Sequence, residues 1–321
     1  MGKKDTITKE YLRQNSIFAD AFNYMIFNGE QIIKSEHLVD RDASEIVLPF
    51  GKDGALIPVQ RYRDLLKGYV IKEYQGKLFA LLGIESQSQI HYAMPVKCML
   101  YDTLNYAAQV NMKTNEYRKK RIKKSEGFKE SKAEFLSGFH KEDRITPVIT
   151  VTVYWGMDQW DGPRTLKEMF DQDLFKSEPE VLKWIPEYQI PLIIPSEIEK
   201  FEKFQTEFGK MMQFMNSAKD KKKMKELLTT DSAYHSLSRT AAKIINEFTG
   251  LNLKITDEGE EKIDLCKAWE DQRKEDIETG IKEGRLDSIK RMLDKGISEE
   301  QIKELLDATD VEVAQAKERE E

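Results

Sequence analysis

Two β-rich segments between residues 61 and 101 constrain the fold of this chain more than any other feature. The second segment, LFALLGI at residues 78–84, is almost entirely apolar, which is typical of a strand buried on both faces of a sheet. Gln75 and Gly76 stand between the segments, and an x-Gly pair between β-branched runs predicts a hairpin turn. The chain is therefore expected to contain a buried sheet with this hairpin at its centre.

Polar residues mark the end of the apolar segment. With the turn centred on Gln75 and Gly76, Asp64 lies opposite Gln87, and Glu85 shares the face of Gln87 because it is two residues away. A carboxylate at the end of a buried strand needs a partner or a metal ion. Two carboxylates beside an amide suit Mg²⁺, which can activate a water and neutralise a phosphodiester. The same spacing also arises where two acids simply end two strands.

Composition limits the classes of function. The chain has 321 residues and a net charge of −6, so any surface that binds nucleic acid has to be local. Cys98 and Cys266 lie far apart, which argues against a disulfide framework and against zinc. The first residues lack an apolar signal region, and no apolar run is long enough to span a bilayer. We expect a soluble intracellular protein with no membrane partner.

The periodicity of apolar residues predicts the remaining elements. They are a helix over residues 8–28, a short strand over 45–49, a helix over 94–110, strands over 145–155 and 188–194, helices within 196–249 that begin at Ser196, a helix over 266–293, and a helix capped by Ser298. Asp20 lies on the first helix beside its apolar stripe, either as a solvated acid or as a catalytic one.

Residues 111–144 are strongly basic and contain interleaved aromatic residues. One interpretation is an arm that contacts phosphates, and the other is a solvated, charged insertion. The residues that would bind DNA under the first interpretation are Arg118, Lys119, Lys120, Arg121, Lys123 and Lys124.

Five segments resemble the bacterial Rpn family of recombination-promoting nucleases and putative transposases, within the PD-(D/E)XK nuclease superfamily. They are FADAFNYMIF at 18–27, RYRDLL at 61–66, GIESQSQIHYAMPVKCMLYDTLNY at 83–106, VYWGMDQWDGPRTLKEMF at 153–170, and the tail sequence GIKEGRLDSIKRMLDKGISEEQIKEL at 280–305. The resemblance covers most of the chain and depends on these segments in combination.

The resemblance implies a restriction-endonuclease-like α-β-β-β-α-β core within an α/β (α+β) fold, followed by a helical C-terminal region. It makes Asp64 and Glu85 the ligands of Mg²⁺, or of Mn²⁺ in its place. Gln87 stands where the superfamily usually has lysine, and an amide can neither act as a base nor carry positive charge. Lys97 on the next helix is expected to supply that charge, and Asp20 corresponds to an acid on the first helix.

The expected organisation is a nuclease-like domain over residues 1–195 with the basic insertion at 111–144, a helical subdomain over 196–265, and a charged tail over 266–321. The tail is expected to form a small helix-turn-helix or an oligomerisation element. The predicted function is Mg²⁺-dependent DNA endonuclease activity in the bacterial cytoplasm, at the nucleoid, with DNA and a second copy of the chain as partners. Two alternatives stay open: a nuclease fold that binds nucleic acid or protein without cutting, and a structural module whose acids only cap strands.

Overall fold

The computed structural model describes residues 2–41, 64–71, 77–123, 127–177, 179–256 and 261–318. Within these residues the protein is a mixed α/β structure, in which helices cover a five-stranded mixed sheet. The predicted α/β class is confirmed at this level.

The first predicted helix is two helices. Helix α1 spans Lys3–Arg13 and α2 spans Asn15–Phe27, and Gln14 between them has an extended backbone. The side-chain amide of Asn15 donates hydrogen bonds to the carbonyls of Ser35 and Leu38, which ties the start of α2 to the next segment of chain. The break lets each helix bury its own face, a requirement that apolar spacing along the chain does not reveal.

The sheet has the strand order β1-β2-β3-β4-β5. The strands are β1 Leu38–Asp40, β2 Leu65–Ile71, β3 Lys77–Gln87, β4 Val148–Tyr154 and β5 Leu192–Ile193. The first three pair antiparallel, whereas β3–β4 and β4–β5 pair parallel. Strand β1 was not predicted, and the strand predicted over residues 45–49 lies outside the described residues. The predicted strands over 145–155 and 188–194 are present in shorter form.

The register of β2 against β3 differs from the prediction. Leu65 pairs with Ile84 and Ile71 pairs with Lys77, with an irregularity between Tyr69 and Val70. Asp64 therefore comes level with Glu85, and the predicted pairing with Gln87 is wrong. From Leu65 to Tyr69 the shift is two residues, so the side chains at this end of the strand pair keep their predicted faces; beyond the irregularity it is three residues. The proposed turn at Gln75 and Gly76 lies outside the described residues.

Helix α3 is much longer than predicted. It spans Met94–Ile122, so residues 111–122 continue the helix and are not an insertion. Pro95 lies in its first turn, where the missing N–H has no helical partner to lose. The chain then returns through α4, Lys132–Ser137, and Tyr117 on α3 donates a hydrogen bond to Asp143 on this return segment.

Further helices follow β4, and those that come after β5 pack on the core of the sheet. They are α5 Gln172–Ser177, α6 Pro179–Leu182, α7 Glu207–Ser217, α8 Lys221–Thr230 and α9 Arg239–Thr249, with a small second sheet of β6 Leu237–Ser238 and β7 Lys262–Ile263. Ser196 lies in a 3₁₀ turn and does not cap a long helix; Thr206 caps α7 instead. One apolar cluster runs from Phe18 on α2 through Ile84 on β3 to Phe214 on α7.

The tail begins with α10, Leu265–Asp294, close to the predicted bounds. Helices α11, Glu299–Leu306, and α12, Asp310–Lys317, follow, and Ser298 caps α11 as predicted. The end of α10 packs with them around a separate small core, made of Leu286, Ile289, Ile302, Ala308, Val313 and Ala316. Among the described residues, no helix has the length and apolar character needed to cross a bilayer.

Candidate active site

The end of β3 places Glu85 toward α3. Residues alternate between the two faces of a strand, and Ile84 points into the core beneath α2 while Glu85 points to the opposite face. Glu85 is fully buried, and its Oε2 lies 3.0 Å from Nζ of Lys97 in the first turns of α3. The strand and the helix thus bring together two residues that the sequence assigned to one site.

Two acidic side chains, those of Glu85 and Asp64, raise the pKa of Lys97. Burial alone would lower the pKa of Lys97, but the charge of Glu85, its hydrogen bond and the charge of Asp64 outweigh that effect and raise the pKa. Lys97 is therefore protonated at neutral pH. It can hold an anion such as a phosphate oxygen, and it cannot accept a proton from water.

Asp64 is held by two groups at the start of β2. Its Oδ2 accepts a hydrogen bond of 2.8 Å from the backbone N–H of Ser86, and its Oδ1 lies 2.8 Å from Nζ of Lys9 on α1. Lys9 also donates to Asp5, at 2.9 Å. Burial lowers the pKa of Lys9, but the hydrogen bonds to Asp64 and Asp5 more than compensate, and the pKa is raised.

Lys9 is a site residue that sequence reasoning missed. It lies on the N-terminal helix, far along the chain from Asp64, and no local pattern distinguishes it from other lysines. Its position depends on how α1 packs. Ser86 donates to the Thr8 hydroxyl and accepts from the Trp155 indole, at 2.9 and 2.8 Å, so this buried chain of hydrogen bonds holds α1 against β3.

A polar cleft of about 470 Å³ lies next to these residues. Its lining consists of Gly2, Asp5, Asp64, Ser86, Gln87, Ser88, Gln89, Ile90, His91 and Lys97. Glu85 reaches this cleft through its contact with Lys97. The side-chain amide of Gln87 donates to the carbonyl of Ser86, at 2.9 Å. The cleft can accommodate an anionic group beside Lys97, near the acids Asp5 and Asp64.

The structure does not bring Asp20 to this cleft. Asp20 is 2% exposed, and its carboxylate accepts hydrogen bonds from the backbone N–H groups of Gln205 and Thr206 and from the Thr206 hydroxyl. It joins α2 to the turn before α7. Its contacts give Asp20 a structural role, and the acid of α1 that lines the cleft is Asp5, which was not predicted.

The basic residues lie at the far end of α3. At about 1.5 Å per residue, Arg118 is roughly 30 Å along the helix from Lys97. Lys119, Lys120 and Lys123 line a separate groove of about 1240 Å³, and Arg121 pairs with Glu130. Lys124 lies outside the described residues. A phosphate bound in the cleft therefore cannot also contact the basic segment.

A scan against protein-family models, a search of curated proteins and a search of solved structures found no match to this chain.

Proposed function

We propose that this protein is a DNA endonuclease of the Rpn type that depends on Mg²⁺ or Mn²⁺. The observation that carries the proposal is the convergence of Asp64, Gln87 and Lys97 on one polar cleft at the ends of two adjacent strands, with Glu85 buried against Lys97. The elements follow the order α2-β1-β2-β3-α3-β4, in which β1, β2 and β3 pair antiparallel in turn and β4 is parallel to β3. This order supports a restriction-endonuclease-like core.

The donor atoms suit a hard cation. Asp64 and Glu85 offer carboxylate oxygens, and Mg²⁺ prefers one or two carboxylates together with water and substrate phosphate. When bound, the ion would neutralise phosphate charge and lower the pKa of a water. Each acid already pairs with a lysine, so the ion and the substrate phosphate would have to share this arrangement with Lys9 and Lys97.

The side chains of the protein have separate roles in this proposal. Lys97 and Lys9, both protonated, bind phosphate oxygens as the lysines turn from the acids to the substrate. Gln87 orients the phosphate or the attacking water through its amide. The water oxygen forms a bond to phosphorus and releases a proton to solvent, the bond from phosphorus to the leaving oxygen breaks, and that oxygen takes up a proton from solvent.

The basic end of α3 supplies a second contact with DNA. Its distance from the cleft corresponds to about nine base pairs at about 3.4 Å each. Contacts there would be made to the phosphate backbone, so they add affinity and salt dependence with little sequence specificity. Cytoplasmic action at the nucleoid and self-association through the tail belong to the same proposal.

Cleavage of plasmid and linear DNA tests the proposal. With Mg²⁺ or Mn²⁺, the Asp64→Asn and Glu85→Gln variants are expected to lose at least about 100-fold in rate, because each removes a charged ligand. Glu278→Gln, an exposed acid on α10, is the matched control and should cleave like the wild type. Equal residual cleavage by all four proteins would mean that the activity comes from elsewhere.

A nuclease fold that binds DNA without cutting is the second candidate. It is favoured by the internal pairing of the site, because both acids have lysine partners and Gln87 donates to the neighbouring backbone. This candidate predicts DNA binding with no cleavage in either metal. It also predicts that Mg²⁺ causes no thermal stabilisation, with or without DNA.

A further inference from the structure

A cluster of metal-binding residue types lies where the tail leaves the body of the protein. His235 ends the 3₁₀ turn Ser232–His235, and Asp264 and Cys266 lie at the start of α10. One ligand atom from each of the three residues lies within 4.8 Å of the other two. The cluster is separate from the acid cleft and has no part in the proposed nuclease reaction.

Two of the three ligands already have nearly the spacing that one ion requires. Nδ1 of His235 lies 3.0 Å from Oδ2 of Asp264. Ligands at about 2.0–2.1 Å from a tetrahedral Zn²⁺ lie roughly 3.4 Å apart, so a small opening of this pair admits the ion. The sulfur of Cys266, at most 4.8 Å from the other two ligand atoms, has to move about 1 Å closer to them to bind the same ion. A rotation of the side chain can supply this movement.

The fold holds the carboxylate in the required orientation. Oδ1 of Asp264 accepts the backbone N–H of Lys267 as the N-cap of α10, which leaves Oδ2 directed at His235. His235 and Asp264 are 52% and 38% exposed, so an ion can enter from solvent and keep a water as its fourth ligand.

Cys266 completes the set from the buried side. Its thiol donates to the carbonyl of Leu228 at the end of α8, at 2.9 Å. Burial raises the pKa of this thiol to about 11, so coordination has to release its proton to solvent and exchange the bond to Leu228 for a bond to the metal. The ion would then join the 3₁₀ turn, the end of α8 and the root of α10.

We propose that His235, Asp264 and Cys266 bind Zn²⁺, or another divalent ion of the same borderline class, as a structural clamp at the base of the tail helix. The mixed nitrogen, oxygen and sulfur donor set suits such an ion, and it does not suit the Mg²⁺ proposed for the acid cleft. The clamp rests on these contacts alone and stands whether or not the chain cuts DNA.

Cobalt substitution tests this site in the full-length protein. Co²⁺ bound by a thiolate gives an intense charge-transfer absorption that carboxylate ligands do not give, so binding at the acid cleft cannot imitate it. The wild type is expected to show this band at one equivalent of Co²⁺, and Zn²⁺ should abolish the band and raise the melting temperature. Cys266→Ser should lose the band completely, and Cys98→Ser, which alters the other free thiol, should keep it.

Variants of the two exposed ligands complete the test, because changes at the surface are less prone to unfold the protein than a change at buried Cys266. Asp264→Asn keeps an N-cap for α10, and His235→Gln changes a half-exposed side chain. Each should weaken Co²⁺ binding by on the order of tenfold or more. A wild type without the thiolate band, a band retained in Cys266→Ser, or affinities unchanged in both the Asp264 and His235 variants would overturn the proposal.

Discussion

At the scale of single residues, the buried pair of Glu85 and Lys97 is the sharpest test of the site. Glu85 has a side chain that is 1% exposed, so removing the lysine leaves its charge without this cation. Breaking a buried pair by removing one partner typically costs about 3–5 kcal/mol. Replacing both partners by groups of similar size costs much less, because neither charge then has to be held in the interior.

We therefore expect Lys97→Met to lower the free energy of unfolding by about 3 kcal/mol, and Lys97→Met with Glu85→Gln to recover most of that loss. The raised pKa of Lys97 sets the pH range: its contribution is fully present below about pH 10.5 and is lost as the pH rises through the higher folded value. Denaturant unfolding at neutral and at high pH measures both effects. A double variant as unstable as the single one would contradict the pairing.

Asp20 provides a contrasting prediction. Asp20→Ala leaves the backbone donors of Gln205 and Thr206 without their acceptor, at a cost of about 3 kcal/mol in unfolding free energy. Cleavage per folded molecule should stay unchanged, because this carboxylate does not line the cleft. Paired unfolding and cleavage measurements check this. A variant that keeps the stability of the wild type but does not cleave DNA would indicate that Asp20 takes part in the reaction.

The residues that could be predicted share a simple basis. Strand alternation puts Asp64 and Glu85 on one face in any even register, so the two-residue error left their neighbourhood intact. Lys97 was expected from the resemblance alone, and the start of α3 beside the end of β3 places it next to Glu85. The partners of Lys9 and Asp20 could not be predicted, since they depend on how separate helices pack.

At the scale of elements, α3 shows why charge misleads about structure. Lysine, arginine and glutamate are good helix formers, so a charged sequence can extend a helix as well as end one. Pairs such as Glu116 and Lys120, 2.7 Å apart at i and i+4, support the extension. The sequence change at residue 111 falls inside α3 and does not mark its end.

The basic end of α3 gives a prediction about salt. Replacing Lys119, Lys120 and Lys123 by glutamine should flatten the dependence of log affinity on log salt by about 0.9 for each phosphate that is no longer neutralised. Fluorescence anisotropy with duplex DNA at several salt concentrations measures the slope. Glutamine at Lys221, Lys222 and Lys223, three exposed lysines on α8, is the matched control. Equal slopes in both triple variants would place the DNA elsewhere.

At the scale of the whole molecule, α10 joins the main core to the tail core. Leu265 of α10 packs on the main core and Leu286 on the tail core, while residues 273–284 between them are exposed all round. Such a stretch is stabilised chiefly by its own helical hydrogen bonds. The helices of the tail could be predicted from caps and periodicity, but their packing against one another could not.

Gly280 and Gly284 weaken this connecting stretch. An added Cβ meets nothing within 4 Å at either position, so alanine should stabilise the helix by about 1 kcal/mol at each site. Hydrogen exchange of the amides in residues 273–284 should slow by roughly fivefold per substitution. Gly209→Ala is the contrasting control, because its Cβ would lie 2.5 Å from that of Phe204. Unchanged exchange would mean that the stretch is ordered by other contacts.

The parallel pairing of β3 and β4 has a consequence for how the chain folds. Glu85 lies beside Thr152, and all of α3 and the return segment separate them along the chain. Closing so long a loop costs entropy before the strands gain any contact, which makes such pairings slow to form. Trp155, directly after β4, then has to reach Ser86 before α1 is held with Lys9 at Asp64. A partly folded chain consequently lacks the complete cleft, and any chemistry that the cleft performs has to wait until synthesis has passed β4.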